Sequence, residues 1–385
     1  MQKVLFSIVA IAATGLAFTL NERPHLFRSL FSTLPVSAQQ TPQRGTLEVV
    51  AELDVTPGNV TVSRTGRIFA TIHPFRPSTA QLIEVTGFNT YKPFPNASWN
   101  AKPGSGPDVI NSGLGVLIDS RDRLWVIDSG AIEPAQTPKL LAFDINSGEL
   151  VFRYDFPAET GPKGSFLQDL AVDADRGFVY IADIGGSHQP AIVTVDINNK
   201  TSRRFTAHPS LQAEDVNMVI DRRVVLFPDA KGDRKPARIG VNPITLSADG
   251  QTLYYGAMTG KTWWKVPTVF LRRGMSDRAI AAAIAKAGDK PISDGASTDA
   301  VGNHFFTNLE KRAIDQLGRD GKLTQLVQDD RLDWPDNVRF GQDAWLYIAV
   351  NQLHRSPAFT GGKDQSQPPY RILRVWTGTS GRPGQ

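Results

Sequence analysis

Amide and carboxylate side chains recur at one position of a repeated pattern in this 385-residue chain. Each lies at or just before the first apolar strand of a predicted β-hairpin. The side-chain oxygens therefore occupy equivalent positions in successive repeats. The set comprises Asn59, Asn111, Gln168 with Asp169, Asn242, Asp294, and Asp336 with Asn337. Oxygen ligands of this kind suit a hard cation such as Ca²⁺. The pattern therefore predicts a shared ligand site, with a divalent cation as one candidate occupant.

Other kinds of chemistry have little support in the sequence. The chain has no cysteine, which excludes disulfides, thiolate nucleophiles and cysteine-ligated metals. Among the scattered histidines, His73 and His354 could approach a channel mouth, whereas His304 lies within a predicted strand. No nucleophile-elbow, phosphate-loop or dinucleotide glycine motif is present, so we expect no organic cofactor.

Six copies of one pattern position the polar side chains. Each copy has a polar or glycine-containing lead-in, a short apolar strand, a turn and a second apolar strand, which is typical of a β-hairpin. The second strands are 68–72, 124–128, 178–183, 253–256, 304–307 and 344–349. Further strands, such as Lys139–Asp144, would complete four-stranded blades. The sequence therefore predicts an all-β fold, a six-bladed β-propeller with four-stranded blades, whose first strands line a central channel.

Three interpretations of the polar set stay open. The side chains can form a ligand site at one mouth of the channel. They can also be ordinary features of a wet channel, because Asn and Asp begin strands by satisfying nearby backbone groups. A bound ion with a purely structural role is the third interpretation.

Two further features complete the predicted fold. Segments 46–55 and 370–376 read as strands, and pairing them within one blade would close the ring without an exposed edge. Residues 276–288 carry apolar side chains at helical spacing between Ser276 as N-cap and Gly288 as stop. We predict one short inserted helix there, either covering one mouth of the propeller or packing against a blade.

The N-terminus has the layout of a targeting segment. A basic start at Lys3 precedes an apolar run, and Val36-Ser37-Ala38 has the form of a cleavage site. We predict a signal peptide over 1–38, with an uncleaved membrane anchor as the alternative. A single propeller domain would then occupy 39–385. The expected location is secreted or periplasmic, without stable membrane insertion after cleavage.

Charge limits the choice of partners. The chain has 42 Lys+Arg against 38 Asp+Glu, a net charge of +4. No basic run is long enough to follow a phosphate backbone, so we predict no nucleic-acid partner. We expect the protein to be a monomer and its partner to be a small-molecule ligand or substrate.

Several motifs together resemble the Yellow/major royal jelly protein family, particularly its bacterial members. They run in family order and are RLWVIDSG at 123–130, PKLLAFD at 138–144, SFLQDLAVD at 165–173, TLYY at 252–255, VPT at 266–268, WPD at 334–336 and PPY at 368–370. The resemblance implies a secreted six-bladed propeller. Some insect members bind small amines in the channel, and others are linked to dopachrome conversion. The disulfide cysteines of animal members are absent here.

A more distant resemblance is to the gluconolactonase-type propellers. Those enzymes hold a divalent cation with a blade-one Glu, an Asn and an Asp, which places Asn242 and Asp294 as metal ligands here. The resemblance also implies that Gln168 and Asp169 orient the substrate and that Asp294 is the catalytic residue. Asn59 stands where the Glu would be, which removes one carboxylate ligand.

Two classes of function follow. The first is a binding protein whose channel holds a small aromatic or cyclic ligand, with a divalent cation, without turnover. The second is an enzyme, a metal-dependent lactone hydrolase, and a dopachrome-type isomerase is a further alternative by family analogy. The missing carboxylate at position 59 favours the binding protein.

Overall fold

The computed structural model describes residues 41–131, 135–228 and 232–384, and the predicted signal segment 1–38 lies outside them. The strands of these residues, in chain order, are β1 (Leu47–Leu53), β2 (Pro57–Val62), β3 (Ile68–Ile72), β4 (Leu82–Gly87), β5 (Thr90–Pro93), β6 (Gly113–Ile118), β7 (Arg123–Asp128), β8 (Lys139–Asp144), β9 (Leu150–Asp155), β10 (Leu167–Asp173), β11 (Phe178–Asp183), β12 (Ala191–Asp196), β13 (Thr201–Phe205), β14 (Val219–Ile220), β15 (Arg223–Val224), β16 (Leu226–Pro228), β17 (Arg234–Pro236), β18 (Val241–Leu246), β19 (Thr252–Ala257), β20 (Thr262–Pro267), β21 (Ala285–Asp289), β22 (Ala296–Thr298), β23 (His304–Asn308), β24 (Ala313–Leu317), β25 (Leu323–Gln328), β26 (Pro335–Phe340), β27 (Trp345–Val350) and β28 (Tyr370–Trp376).

Six four-stranded antiparallel sheets form the blades of a ring. Blades 1 to 5 are β2–β5, β6–β9, β10–β13, β18–β21 and β22–β25, and blade 6 is β26, β27, β28 and β1. The first strand of each blade lies beside the first strands of the two neighbouring blades, so these six strands form the inner wall. The predicted six-bladed propeller with four-stranded blades is confirmed.

Blade 6 closes the ring with strands that are far apart in sequence. Strand β1 pairs with β28, from Leu47 opposite Val375 to Leu53 opposite Tyr370. It supplies the outermost strand of a blade whose other three strands come near the end of the chain. This is the closure that the sequence predicted, and it gives blade 6 the same four strands as the other blades.

Apolar side chains fill the space between neighbouring blades. Trp125 of blade 2 shares a cluster with Leu170 of blade 3, and the rings of Trp263 in blade 4 and Phe306 in blade 5 meet edge to face at 4.9 Å. Strands in the middle of a blade are covered on both faces, so β8 and β27 are almost continuously apolar. Burying each large apolar side chain contributes about 1.5–3 kcal/mol, which holds adjacent blades together.

The inserted helix is shorter than the sequence predicted. Its Ser276 cap is present, with Oγ accepting from the amide of Ala279 at 3.3 Å, but the helix α2 spans only Asp277–Ala283. Ile284 is extended, and the following residues, including Gly288, form the outermost strand of blade 4. The helical spacing over 284–288 was misleading because pairing with β20 satisfies that backbone instead. Helix α2 packs on blade 4 through the buried Ile280.

Other helical segments are brief. The described residues also contain α1 (Thr268–Arg272), α3 (Pro357–Thr360) and the 3₁₀ turns Pro209–Leu211 and Leu353–Arg355. Within the described ranges, none of the helices has the length and apolar character needed to cross a membrane.

Two insertions form what we call the lid, residues 212–228 and 232–240 together with 351–369. The first insertion carries the small hairpins β14–β15 and β16–β17, and the second carries α3. Apolar side chains of both insertions share one cluster with Trp334 and with Ile292, which lie just before the inner strands of blades 6 and 5. Arg76 of blade 1 holds the second insertion in place through an ion pair with Asp364 at 3.0 Å. The lid therefore covers the mouth of the ring at which the inner strands begin.

Candidate functional site

Irregular strand pairing positions the polar side chains at the lid end of the inner wall. The register with the second strand shifts in β2, β10, β18 and β26, between residues 57 and 60, 167 and 169, 241 and 244, and 335 and 337. The residues within these shifts include Asn59, Gln168, Asn242 and Asp336. A bulge leaves a residue unpaired and re-aims its side chain. Four of the predicted site residues thus lie at bulges near the start of an inner strand.

Two buried carboxylates, Asp294 and Asp336, lie at the centre of this region, 2% and 1% exposed. Their side-chain contacts come from neutral donors. The contacts run from Trp334 Nε1 to Asp294 at 2.7 Å, from Asn242 Nδ2 to Asp294, from Asn351 Nδ2 to Asp336 at 2.6 Å, and from Asn59 Nδ2 to Asp336 at 3.3 Å. Within the described residues, neither carboxylate forms an ion pair with Lys or Arg. We call these two carboxylates and their four donors the axial acidic cluster.

Several amide oxygens in and beside the axial acidic cluster have no hydrogen-bond donor in the described part of the chain. They are buried, and they are Oδ1 of Asn59, Oε1 of Gln168, Oδ1 of Asn242 and Oδ1 of Asn351. A buried acceptor without a donor costs about 1–3 kcal/mol. Rotating the amide of Asn59 or Asn242 would turn its oxygen toward the carboxylate that its nitrogen now contacts. Two such oxygens repel each other unless a cation lies between them.

The carboxylate and amide oxygens of the axial acidic cluster therefore fit a hard cation, which prefers oxygen ligands. No three His, Asp or Glu side chains in the described ranges converge closely enough to hold a metal ion by themselves. A cation at the axis would depend on amide oxygens as well as on Asp294 and Asp336. This is the ligand chemistry expected for Ca²⁺ rather than for a soft transition metal.

Burial raises the pKa of both carboxylates, and the charge of neighbouring carboxylates raises it further. Burial raises the pKa of Asp294 to about 7, although the hydrogen bonds from Trp334 and Asn242 act in the opposite direction. Burial also raises the pKa of Asp336 well above its usual range, and the neighbouring charge of Asp294 raises it further. A positive charge brought to this place would favour the ionised forms and relieve the repulsion.

Lys290 is a buried lysine whose charge lowers the pKa of Asp294. Its Nζ donates to the carbonyl oxygens of Gly260 at 2.8 Å and Pro291 at 3.0 Å, so it is held by the backbone rather than by a carboxylate. Burial lowers the pKa of Lys290 to about 7, and the charges of Glu214 and Asp294 oppose this shift. Lys290 therefore compensates the axial acidic cluster only in part.

Arg339 crosses the channel on the side of the axial acidic cluster away from the lid. It begins on β26 of blade 6, and its Nη2 reaches Asp169 of the opposite blade 3 at 2.5 Å. Further bonds go from Nη1 to the carbonyl of Ala296 at 3.1 Å and from Nη2 to that of Leu170 at 3.2 Å. Asp169 is thus paired with an arginine that spans the channel.

A small cavity lies beyond Arg339, toward the opposite mouth. Its volume is about 60 Å³, and residues 381–384 line it together with the ends of inner strands. The carbonyl of Gly384 accepts from the amide of Val172 at 3.0 Å, which fixes this segment to blade 3. The channel is therefore obstructed at this end.

The predicted residues divide into three groups. Asn59, Asn242, Asp294 and Asp336 are brought together in the axial acidic cluster, and Gln168 and Asp169 lie on the neighbouring inner strand of blade 3. The third group comprises Asn337 and Asn111. The Oδ1 of Asn337 accepts from the amide of Val60 in blade 1 at 3.2 Å. Asn111 forms local contacts. Its Oδ1 accepts from the amide of Gly104 at 2.7 Å and its Nδ2 donates to Asp128 at 3.2 Å.

Sequence reasoning missed two residues that shape the site. Asn351 follows a second strand rather than preceding a first one, so the repeat phase did not select it. Arg339 was visible as the charged residue within the otherwise apolar stretch Val338–Phe340, but only the closed ring shows which blade it reaches. Trp334 belonged to a recognised motif, and its bond to Asp294 gives that motif a structural role.

Aromatic rings of the lid and adjacent loops form a layer at this mouth. The ring of Phe359 lies 4.9 Å from Phe227, 5.3 Å from Trp334 and 6.3 Å from Phe75 between centroids. His73 packs against Phe75, and burial lowers its pKa to about 3, so it is neutral at physiological pH. This layer limits the access of water to the carboxylates, which strengthens electrostatic interactions there.

A six-bladed propeller with a polar site at one mouth is a class that many unrelated functions share. The sequence model of the family described as major royal jelly protein matches residues 111–360. The chain therefore belongs to the major royal jelly protein family.

Individual relatives match parts of this chain. Protein yellow of Drosophila guanche is 26% identical over 306 residues, which cover 71% of this chain and 49% of that protein. Major royal jelly protein 6 of Apis mellifera is 32% identical over 186 residues, covering 46% and 39%. Major royal jelly protein 7 is 29% identical over 194 residues, covering 47% and 40%. The chain thus matches less than half the length of these curated relatives.

Solved structures share the fold at low sequence identity. A luciferin-regenerating enzyme has a TM-score of 0.54 at 11% identity, over 88% of this chain and 98% of that chain. A putative gluconolactonase has a TM-score of 0.52 at 12% identity, over 87% and 93%. Regucalcin of Agrobacterium tumefaciens, described as a calcium-binding protein, has a TM-score of 0.50 at 15% identity, over 86% and 92%. Likeness at this level shows the propeller fold alone.

Proposed function

We propose that this protein is a small-molecule-binding propeller that holds a divalent cation, Ca²⁺ in the first instance, at the axial acidic cluster. One observation carries the proposal: two adjacent buried carboxylates are contacted by neutral donors and lie beside buried amide oxygens without donors. Ligands entering from the lid side would meet the cation below the aromatic layer. Export, a monomeric state and the lack of a nucleic-acid partner stay predictions from the sequence.

Titration calorimetry with CaCl₂ on EDTA-treated protein tests the cation site. We expect one Ca²⁺ per chain, and we expect Asp294→Asn and Asp336→Asn each to weaken binding by about tenfold or more, because Ca²⁺ affinity depends on the number of charged ligands. Thermal-shift screening with aromatic amines, catechols and sugars, in the presence of Ca²⁺, then addresses the small molecule.

Asp315 provides a matched control. It is a buried carboxylate that accepts from an asparagine, Asn308, at 2.8 Å, but it lies on β24, the third strand of blade 5. Asp315→Asn should leave Ca²⁺ binding unchanged. Absence of Ca²⁺, Mg²⁺ and Mn²⁺ binding, or equal affinity in all three variants, would remove the proposal.

A lactone hydrolase is the second candidate function. It is favoured by the direct contact between Asn242 and Asp294, the two residues that the resemblance to gluconolactonases names as metal ligands. A bound divalent cation would supply a Lewis acid for the lactone carbonyl. Two observations weaken this candidate: position 59 carries an amide, and Asp169 is occupied by Arg339. Lactone hydrolysis with Ca²⁺, Mn²⁺ or Zn²⁺, compared between wild type and Asp294→Ala, decides it, because equal rates would exclude a catalytic role of Asp294.

A further inference from the structure

A second cavity lies within the lid, separate from the axial acidic cluster. Its volume is about 530 Å³, within the range of about 300–1,000 Å³ that small-molecule pockets occupy. Both insertions of the lid contribute to its walls, through β14–β17 on one side and through α3 with the preceding 3₁₀ turn on the other. We call this cavity the lid pocket.

The floor of the lid pocket is apolar. Ile220, Val225 and Phe359 line it and are 5%, 8% and 5% exposed, and all three belong to the apolar cluster of the lid. The flat ring of Phe359 and the two aliphatic side chains offer a surface to a ring or a short hydrocarbon chain. Moving apolar ligand surface from water onto this floor contributes about 25 cal/mol per Å².

The charges at the walls of the lid pocket are not balanced. Asp221 takes both of its hydrogen bonds from Arg312 Nη2, at 2.8 and 2.9 Å, and Arg355 is held by Asp333 at 3.0 Å. Those charges are therefore compensated. Arg223 and Arg234 also line the pocket and are exposed, and in the described ranges neither has a carboxylate within ion-pair distance.

The lid pocket also adjoins unsatisfied polar groups. Nδ1 of His354 and Nε of Arg355 are buried and have no partner among the residues that the structure describes. Arg234 at the pocket wall donates from Nη2 to the carbonyl of Phe359, and this bond holds the guanidinium over the apolar floor. An arginine fork held in place loses less conformational freedom when it binds an anion than a free lysine does.

We propose that the lid pocket binds an organic monoanion, a carboxylate or sulfonate attached to an apolar ring or chain. The anionic group lies between Arg223 and Arg234, and the hydrocarbon part lies on Ile220, Val225 and Phe359. The lid pocket adjoins the axial acidic cluster, because the Trp334 ring, which donates to Asp294, stacks on His354 of the pocket wall at 5.8 Å between centroids. The two carboxylates of that cluster do not line the lid pocket, so its anion site uses different side chains. It does not depend on the cation proposed for the axis.

Titration calorimetry with naphthalene-2-carboxylate tests this site. We expect saturable binding that weakens as NaCl is raised, because exposed charges are screened by salt. The matched amine, naphthalen-2-ylmethylamine, should not compete, since it has the same ring and the opposite charge. Sodium sulfate should compete only weakly, because it lacks the apolar part.

Substitutions at the walls of the lid pocket test which side chains bind the anion. The double variant Arg223→Gln with Arg234→Gln should weaken naphthoate binding by about tenfold or more, since each removes a charge-assisted hydrogen bond. Arg222→Gln is the matched control, because Arg222 is exposed and adjacent in sequence but does not line the pocket. The double variant should leave Ca²⁺ binding unchanged, because neither arginine belongs to the axial acidic cluster, so the two proposals fail independently. No binding of naphthoate, or equal binding by the double variant and the Arg222→Gln control with unchanged melting temperature, would overturn the inference.

Discussion

Asp294 and Asp336 are held by side chains from neighbouring blades. Asn242 of blade 4 reaches Asp294, which precedes the first strand of blade 5, and Asn59 of blade 1 reaches Asp336 of blade 6. Each contact joins two inner strands, so the position of the carboxylates depends on the closed ring. The sequence could indicate these residues because they share a phase within the repeats. It could not show Asn351, whose place at the end of a second strand brings it to Asp336 only in the folded blade.

The raised pKa of Asp294 predicts how pH affects the stability of the cation-free protein. An aspartate in the unfolded chain loses its proton near pH 4, whereas burial holds the folded pKa of Asp294 at about 7. Between these values the folded state binds more protons, so this residue makes stability fall as pH rises. We expect Asp294→Asn to flatten that fall in urea unfolding measured with EDTA at about pH 5 and about pH 8. An identical decrease in wild type and variant would contradict the burial of an uncompensated carboxylate.

At the scale of elements, the sequence predicted the strands but not the bulges within them. Continuous apolar strands around glycine, asparagine and aspartate turns predicted the hairpins and the closing pair of strands. The bulges in β2, β10, β18 and β26 depend on how each inner strand meets its ring neighbours, so no local pattern indicates them. The lid was missed because its hairpins have strands of two or three residues. The alanine-rich spacing of residues 284–288 predicts a helix, because a local pattern does not show that β20 lies beside them.

The closing strand β1 predicts a large effect of a single side chain. Leu53 lies on the outermost strand of blade 6 but is only 1% exposed, because it packs in the cluster between blades 6 and 1. We expect Leu53→Ala to lower the free energy of unfolding by about 2–5 kcal/mol in urea titrations.

Leu150 is the matched control for this change. It also lies on the outermost strand of a blade, β9 of blade 2, but it is 38% exposed. Leu150→Ala should change the free energy of unfolding by no more than about 0.5 kcal/mol. Similar losses for the two leucines would mean that β1 does not hold the ring closed.

At the scale of the whole molecule, the described residues cover both ends of the channel. Arg339 and residues 381–384 obstruct one end, and the lid with its aromatic layer covers the other. The six blades show the class of fold, and the chemistry must come from the side chains along the channel axis. Those side chains combine two buried carboxylates with amide oxygens that have no donor, and this is the basis for a cation at the axis.

An anomalous difference map from crystals soaked in MnCl₂ after EDTA treatment is the most direct test of that cation. Mn²⁺ shares the preference of Ca²⁺ for oxygen ligands and scatters anomalously, so it reports position and not only affinity. We predict a peak between Asp294 and Asp336, with oxygens of Asn59 and Asn242 turned toward it at about 2.0–2.6 Å. A map with no peak at the axis, in which the nitrogens of Asn59 and Asn242 still contact the carboxylates, would contradict the account.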